Sequence, residues 1–157
     1  MTEIERKFLI TSEEFKKAAF RKTRIKQGYL NSDPDRTVRV RLRDGQGFLT
    51  VKGRSSENGL SRFEWEREIN SEEAEDLLKL CEAGVIDKIR YEITSGKHIF
   101  EVDEFFGENE GLLLAEVELS HENEEIEKPD WLGKEVTGDK RYYNAFLSKN
   151  PFKTWNK

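Results

Sequence analysis

The chain of 157 residues, 38% charged and 35% hydrophobic, has room for one domain around one modest core. A single cysteine and two histidines exclude an intrachain disulfide and a cysteine- or histidine-rich metal site, so any metal is expected to be held by oxygen. No apolar run approaches the roughly 20 residues of a membrane span, the start MTEIERKF lacks a signal-peptide stretch, and the net charge of -5 argues against a general nucleic-acid binder; a cytoplasmic protein without membrane or nucleic-acid partners is expected.

The charges are segregated along the chain. Lys16 to Arg43 holds ten basic residues against two acidic ones, whereas Glu101 to Glu127 holds eleven acidic residues and no Lys or Arg. Both blocks are threaded with aliphatic and aromatic residues, unlike a solvated tail.

The first element, EIERKFLI, places Glu3, Glu5 and Lys7 on one parity, the period of a strand. Ser12 then fits an N-cap before the helical stretch EEFKKAAF. A short strand is possible over Gln27 to Asn31, and Asp33-Pro34 marks a turn. In TVRVRLR, Arg39, Arg41 and Arg43 alternate with Val38, Val40 and Leu42; Asp44-Gly45 follows as a turn, then FLTVKG with Thr50 and Lys52 on one face. After Asn58-Gly59 comes FEWEREI, with Glu64, Glu66 and Glu68 aligned.

A helix is expected from an N-cap at Ser71 through EEAEDLLKLCEAG, with Ala74, Leu77, Leu78 and Cys81 as its apolar stripe and Gly84 as its stop. Three more strands follow: DKIRYEI (Lys88, Arg90, Glu92), HIFEVDEF (Glu101, Asp103) and LLLAEVELS (Glu116, Glu118). Pro129 to Gly133 reads as an ordered connection and Arg141 to Leu147 as a weak helix. Residues 1–150 are expected to form one domain, with 151–157 a loosely held tail.

On one strand, alternating charge is the wet face of an ordinary sheet. Seven or eight such strands suggest instead an α+β protein in which the sheet closes into a barrel with its charged faces inward. Burying that many ions costs several kcal/mol each unless partners, metal or ligand satisfy them, so such an interior reads as a binding site. Paired carboxylates on extended strands offer the oxygen ligands suited to Mg²⁺ or Mn²⁺, and rows of Arg and Lys offer donors for phosphate oxygens. No GxxxxGK[ST] loop is present, so phosphate would be held by side chains. Cys81 reads as core rather than nucleophile, and the three tryptophans as packing residues.

These residues carry a family resemblance. Glu3-Ile-Glu5-Arg-Lys7 resembles the ExExK signature of the CYTH superfamily, the triphosphate tunnel metalloenzymes. It is followed in the family's order by QGYL, RVRLR, TVK, LSRFEWE, DKIRY, EVDEF, AEVEL and GDKRY, and the chain resembles most the short bacterial members. The resemblance implies an eight-stranded antiparallel barrel enclosing a hydrophilic tunnel, with helices packed outside. It implies an enzyme: a divalent-metal-dependent triphosphatase, inorganic tripolyphosphate being the first substrate, with a class IV-type adenylate cyclase, a thiamine triphosphatase or a non-catalytic polyphosphate- or nucleotide-binding module as alternatives. Carried over residue by residue, it implies that Glu3, Glu5, Asp103, Glu116 and Glu118 hold Mg²⁺ or Mn²⁺. Lys7, Arg39, Arg41, Lys52, Arg90 and Lys140 would clamp phosphate, and Tyr29 would accept a proton, assisted by Lys88. Glu64 and Glu66 could orient the basic rows. The oligomeric state is left open, a homodimer included.

Overall fold

The structure is a computed structural model that describes residues 2–155. Nine strands form one antiparallel sheet: β1 (Thr2–Ile10), β2 (Arg21–Asn31), β3 (Arg36–Arg43), β4 (Gln46–Ser55), β5 (Ser61–Ile69), β6 (Ile86–Ser95), β7 (His98–Phe105), β8 (Leu113–Glu118) and β9 (Leu132–Glu135). Three short helices accompany them, α1 (Phe15–Ala18), α2 (Ser71–Leu80) and α3 (Asn144–Lys149).

The strand order is β5-β4-β3-β2-β6-β7-β8-β1-β9, and β1 also pairs with β5. That extra pairing, Thr2 to Ile4 against Ser61 to Phe63, closes an eight-stranded barrel and leaves it no free edge. β1 meets β8 through Glu5 to Leu9 on its other side, while β9 pairs beside its second half at Phe8 and Ile10. Asp44 and Gly45 join β3 to β4 with φ of 49° and 77°, the left-handed pair that a two-residue hairpin demands.

The period of two sorts each strand into an outer and an inner row. The outer row buries Phe8, Tyr91, Ile93, Phe100, Val102, Ala115 and Val117 in one apolar cluster, covered by Phe15 of α1 and by Leu119 and Trp131. Phe15 and Phe100 both meet Trp131 edge-on, at centroid distances of 5.9 and 5.7 Å. α2 covers the outer face of β2 to β4, where Gly28 and Gly47 let it approach: a Cβ at Gly47 would lie 2.7 Å from that of Ala74. The inner row is charged along most of the barrel and apolar at one end, where Ile86, Phe105, Leu112 and Leu114 pack with Val136, Tyr142 and Leu147. The C-terminal segment thus fills that end.

Several boundaries differ from those expected. α1 has four residues, with Ser12 outside it, and β2 begins at Arg21 rather than near Gln27, giving eleven residues. α2 is capped by Asn70, whose side chain accepts from the Glu73 amide while Glu73 answers to the Asn70 amide; Ser71 is its first residue, and it ends ahead of Gly84. The Pro129–Gly133 connection leads into β9. The described part of the expected tail, residues 151–155, makes a 3₁₀ turn at Phe152–Thr154, and Trp155 stacks edge-on against Tyr142 and Phe152. Among the described residues no helix is long and apolar enough to cross a membrane.

Candidate functional site

The inner rows enclose a cavity of about 180 Å³. β1 contributes Glu3, Glu5 and Lys7; β2, Tyr29; β3, Thr37, Arg39 and Arg41; β4, Thr50 and Lys52; β5, Arg62, Glu64 and Glu66; β6, Lys88 and Arg90; β7, Glu101; and β8, Glu116. Thr137, Tyr143 and Asn144 reach in from the C-terminal segment. These alternate positions share a face because the pleat fixes them there, and the register aligns them across strands: Lys7 opposite Glu116, Arg90 opposite Asp103, Lys52 opposite Glu64.

The cations form a wall chiefly on β3, β4 and β6. Lys88 is 1% exposed and Asp103 2%. Asp103 receives Arg90 at both oxygens, at 2.8 and 3.0 Å, and Lys88 at 2.7 Å. Arg90 and Lys88 together hold the Asp103 carboxyl far below the carboxylate range, against the upward push of its burial. Since Arg90 takes both Asp103 oxygens, Lys88 receives only part of that charge; burial, with Arg90 and Arg41 close by, pushes it down to about 7. Burial likewise lowers Arg41 to about 9, helped by Arg39 and Arg90. The Nε of Arg39 is buried with no hydrogen-bond partner, although its Nη2 donates to Thr50 at 3.2 Å. The wall is therefore over-supplied with positive charge and donors, and an anion would relieve both.

Opposite it stand carboxylates. Glu3 is salt-bridged to Lys52 at 2.9 Å, and Lys52 also lies 3.5 Å from Glu64. Glu5 and Glu116 hydrogen-bond to each other. Burial, and then the charges of Glu116 and Glu3, raise Glu5 well above the carboxylate range. Burial also works against ionisation of Glu116, but Lys7, the bond from Glu5, Arg90 and Lys88 outweigh it and hold Glu116 well below that range. Of the pair, Glu5 is therefore the member that takes up a proton first as the pH falls.

Of the thirteen side chains expected in the site, ten line the cavity together. Asp103 lies behind Arg90 and Lys88 rather than on the surface of the cavity. Glu118 is exposed beyond it, opposite Glu5 in register, and burial with Glu3 and Glu101 nearby raises its carboxyl. Lys140 is exposed in a 3₁₀ turn, where it interacts with Asp35. Tyr29 lies opposite Arg39 in register and interacts with the charge of Arg41; among the described residues it makes no hydrogen bond to Lys88. The parity of Gln27, Thr50, Arg62 and Glu101 matches neighbours already singled out, so their place was readable. Asn144 and Tyr143 come from a segment without strand period and gave no such signal.

Among the described residues no three of His, Cys, Asp and Glu converge as a finished metal cage. Mg²⁺ does not need one, because it is commonly held by one or two carboxylates together with waters and substrate phosphates. The Glu5–Glu116 pair, partly buried and hydrogen-bonded across the ladder, fits such an ion, with Glu3 beside it.

A closed antiparallel barrel whose inner rows are ionised and partly unsatisfied is a chamber for a small charged ligand. Comparison with known proteins gives its family: a family model described as the CYTH domain matches residues 1–143, and the chain belongs to that family. An inorganic triphosphatase of Acetivibrio thermocellus is 49% identical over 154 residues, covering 98% of this chain and 97% of that protein. An inorganic triphosphatase of Nitrosomonas europaea is 41% identical over 157 residues, covering 94% and 97%. Among solved structures, the inorganic triphosphatase NE1496 superposes with a TM-score of 0.67 at 33% identity, covering 93% of this chain and 97% of its own.

Proposed function

We propose that this protein hydrolyses inorganic tripolyphosphate to pyrophosphate and phosphate with the help of a divalent metal, Mg²⁺ or Mn²⁺. The observation that carries the reading is the cation wall. Lys7, Arg39, Arg41, Lys52, Lys88 and Arg90 converge on one cavity, more positive charge than one or two phosphate groups would engage. The relatives' activity supports it. The cavity, at about 180 Å³, lies below the roughly 300–1,000 Å³ of pockets for drug-sized ligands, which favours a compact inorganic chain over a nucleotide.

In this reading Glu5 and Glu116, with Glu3, hold the metal. The ion, when bound, would neutralise charge on the phosphate oxygens and lower the cost of charge developing at the leaving group. The residues of the chain do the rest. Arg39, whose buried Nε lacks a partner, and Arg41 donate to phosphate oxygens. Lys88 and Arg90, anchored on Asp103, grip the inner phosphates. A water attacks the terminal phosphorus as the bridging P–O bond breaks and pyrophosphate leaves, and Tyr29, acting in its phenolate form, takes the water's proton. Asp103 acts as the counter-charge that keeps two clamp residues in place.

The test is incubation of the purified protein with tripolyphosphate, thiamine triphosphate and ATP, each with Mg²⁺, following phosphate, pyrophosphate and cyclic AMP. Phosphate released fastest from tripolyphosphate is expected. Faster formation of cyclic AMP from ATP would overturn the hydrolase reading.

A further inference from the structure

Resting on that reading, we propose that Asn144 is a positioning residue whose side-chain carbonyl fixes the Lys88 ammonium and, through Gln27, the Arg41 guanidinium in the wall of the cavity. Asn144 Oδ1 accepts from Lys88 Nζ at 2.8 Å and from Gln27 Nε2 at 2.7 Å. Gln27, fully buried, accepts in turn from Arg41 Nε at 2.8 Å. The chemistry settles both amide orientations. A guanidinium can only donate, so Gln27 must turn its oxygen to Arg41; that leaves the Gln27 NH₂ facing Asn144, whose oxygen accepts it and faces Lys88 as well. One carbonyl thereby uses both lone pairs to tie two cations of the clamp into a single chain.

Asn144 is also the only one of these groups that the barrel itself does not carry. It is the first residue of α3, beyond the matched residues 1–143. The helix is seated by Leu147, fully buried, and by the approach of Gly84, where a Cβ would lie 1.7 Å from the Ser148 carbonyl oxygen. The packing of the C-terminal segment is thus coupled to the position of Lys88. Without Asn144, Lys88 keeps Asp103, which it shares with Arg90, and the face of the Phe105 ring at 5.4 Å, and the Gln27 NH₂ is buried without an acceptor.

The experiment is a double-mutant cycle of Asn144→Leu and Gln27→Leu on the full chain. It reads kcat and KM for tripolyphosphate with Mg²⁺, calorimetric binding of tripolyphosphate, and the melting temperature. Asn144→Leu should lower kcat on the order of tenfold to a hundredfold, the loss expected when catalytic groups shift by up to about 1 Å. The double variant should lose little more than the worse single one. Ser148→Ala, whose hydroxyl only caps the Ala145 carbonyl within α3, should leave both constants unchanged, separating the carbonyl of Asn144 from a loosened helix. Wild-type kcat and KM in Asn144→Leu, or losses that simply add, would overturn the proposal. If Asn144→Leu does not fold, Asn144→Ser takes its place, since its short hydroxyl cannot reach both donors, and wild-type constants there overturn it equally. A wild-type protein inactive on tripolyphosphate defeats the hydrolase reading instead; the cycle is then read by tripolyphosphate affinity, where an unchanged Kd in Asn144→Leu overturns the positioning role.

Discussion

Asp103, buried, and the Glu5–Glu116 pair, partly buried, are carboxylates on inward rows of the same barrel, yet their surroundings make them opposites. Asp103 is saturated: Arg90 binds it through two nitrogens and Lys88 adds a third contact at 2.7 Å. Glu5 and Glu116 face each other across adjacent strands, with cations mainly on the side of Glu116. A carboxylate whose lone pairs are spent on fixed cations is an anchor, because releasing it would strand two buried positive charges. A pair of which one member takes up a proton is a seat for something more positive than a proton. The same parity in sequence therefore yields two functions, and the neighbours across the ladder decide which.

The contrast breaks most visibly in stability. Asp103→Asn leaves Lys88 without a carboxylate and Arg90 with only its longer contacts to Glu101 at 3.4 Å and Glu116 at 3.9 Å, a loss of about 3–5 kcal/mol for a severed buried pair. For a chain of this size that corresponds to a fall in melting temperature of about 6–20 °C. Glu116→Gln should cost less. It removes an ionised carboxylate that Lys7, Arg90 and Lys88 hold well below the ordinary range, so thermal unfolding without metal should come earlier than in the wild type but later than in Asp103→Asn. Hydrolysis at saturating Mg²⁺ should nonetheless drop on the order of a hundredfold, about 2.7 kcal/mol of lost transition-state stabilisation. If Asp103→Asn melts like the wild type and Glu116→Gln turns over normally, the two roles have been exchanged.

How much of this the sequence discloses depends on the side-chain period of each strand. TVRVRLR shows its inner and outer rows openly, because guanidinium and aliphatic alternate without exception. In β2 the rows are disguised: Thr23, Ile25 and Gln27 point inward and are buried, while Lys22, Arg24 and Lys26 are exposed outside, so polar residues stand on both faces. The early half of that strand, Arg21 to Lys26, accordingly carries no strand signal in the sequence. β9 is too short, at four residues, to display a period. Within the site, the residue types of the cavity follow from parity alone, but the separation of Asp103 from Glu116 does not. It arises from register, which sets Arg90 directly opposite Asp103 and Lys7 opposite Glu116. Asn144 depends on the docking of α3 across the apolar end of the barrel, a contact of high sequence separation with no local signature.

The proton on the Glu5–Glu116 pair gives the smallest and sharpest test of the comparison. Glu5 is raised well above the ordinary carboxylate range, so in the folded protein it stays protonated at pH values where an exposed glutamate is ionised. A group whose folded value is raised contributes stability in full below its unfolded value and loses that contribution as the pH rises through the folded one. Without metal, the fold should therefore weaken as the pH climbs from about 4.3 through the raised value of Glu5. Lys88, lowered to about 7, acts with the opposite sign, adding stability as the pH rises from about 7 towards the ordinary lysine value near 10.4. Because Lys88 is present in both proteins, comparing wild type with Glu5→Gln cancels its part. Glu5→Gln should flatten the difference between pH 5 and 8, and Mg²⁺ should flatten it in the wild type by displacing the same proton. The affinity for Mg²⁺ in the wild type should then rise by up to about tenfold per pH unit below the value of Glu5 and level off above it. Calorimetric titration in two buffers of different ionisation enthalpy should register close to one proton released per ion in the wild type and none in Glu5→Gln. Equal proton release from both proteins would place the cation elsewhere in the cavity and return Glu5 and Glu116 to the same anchoring role as Asp103.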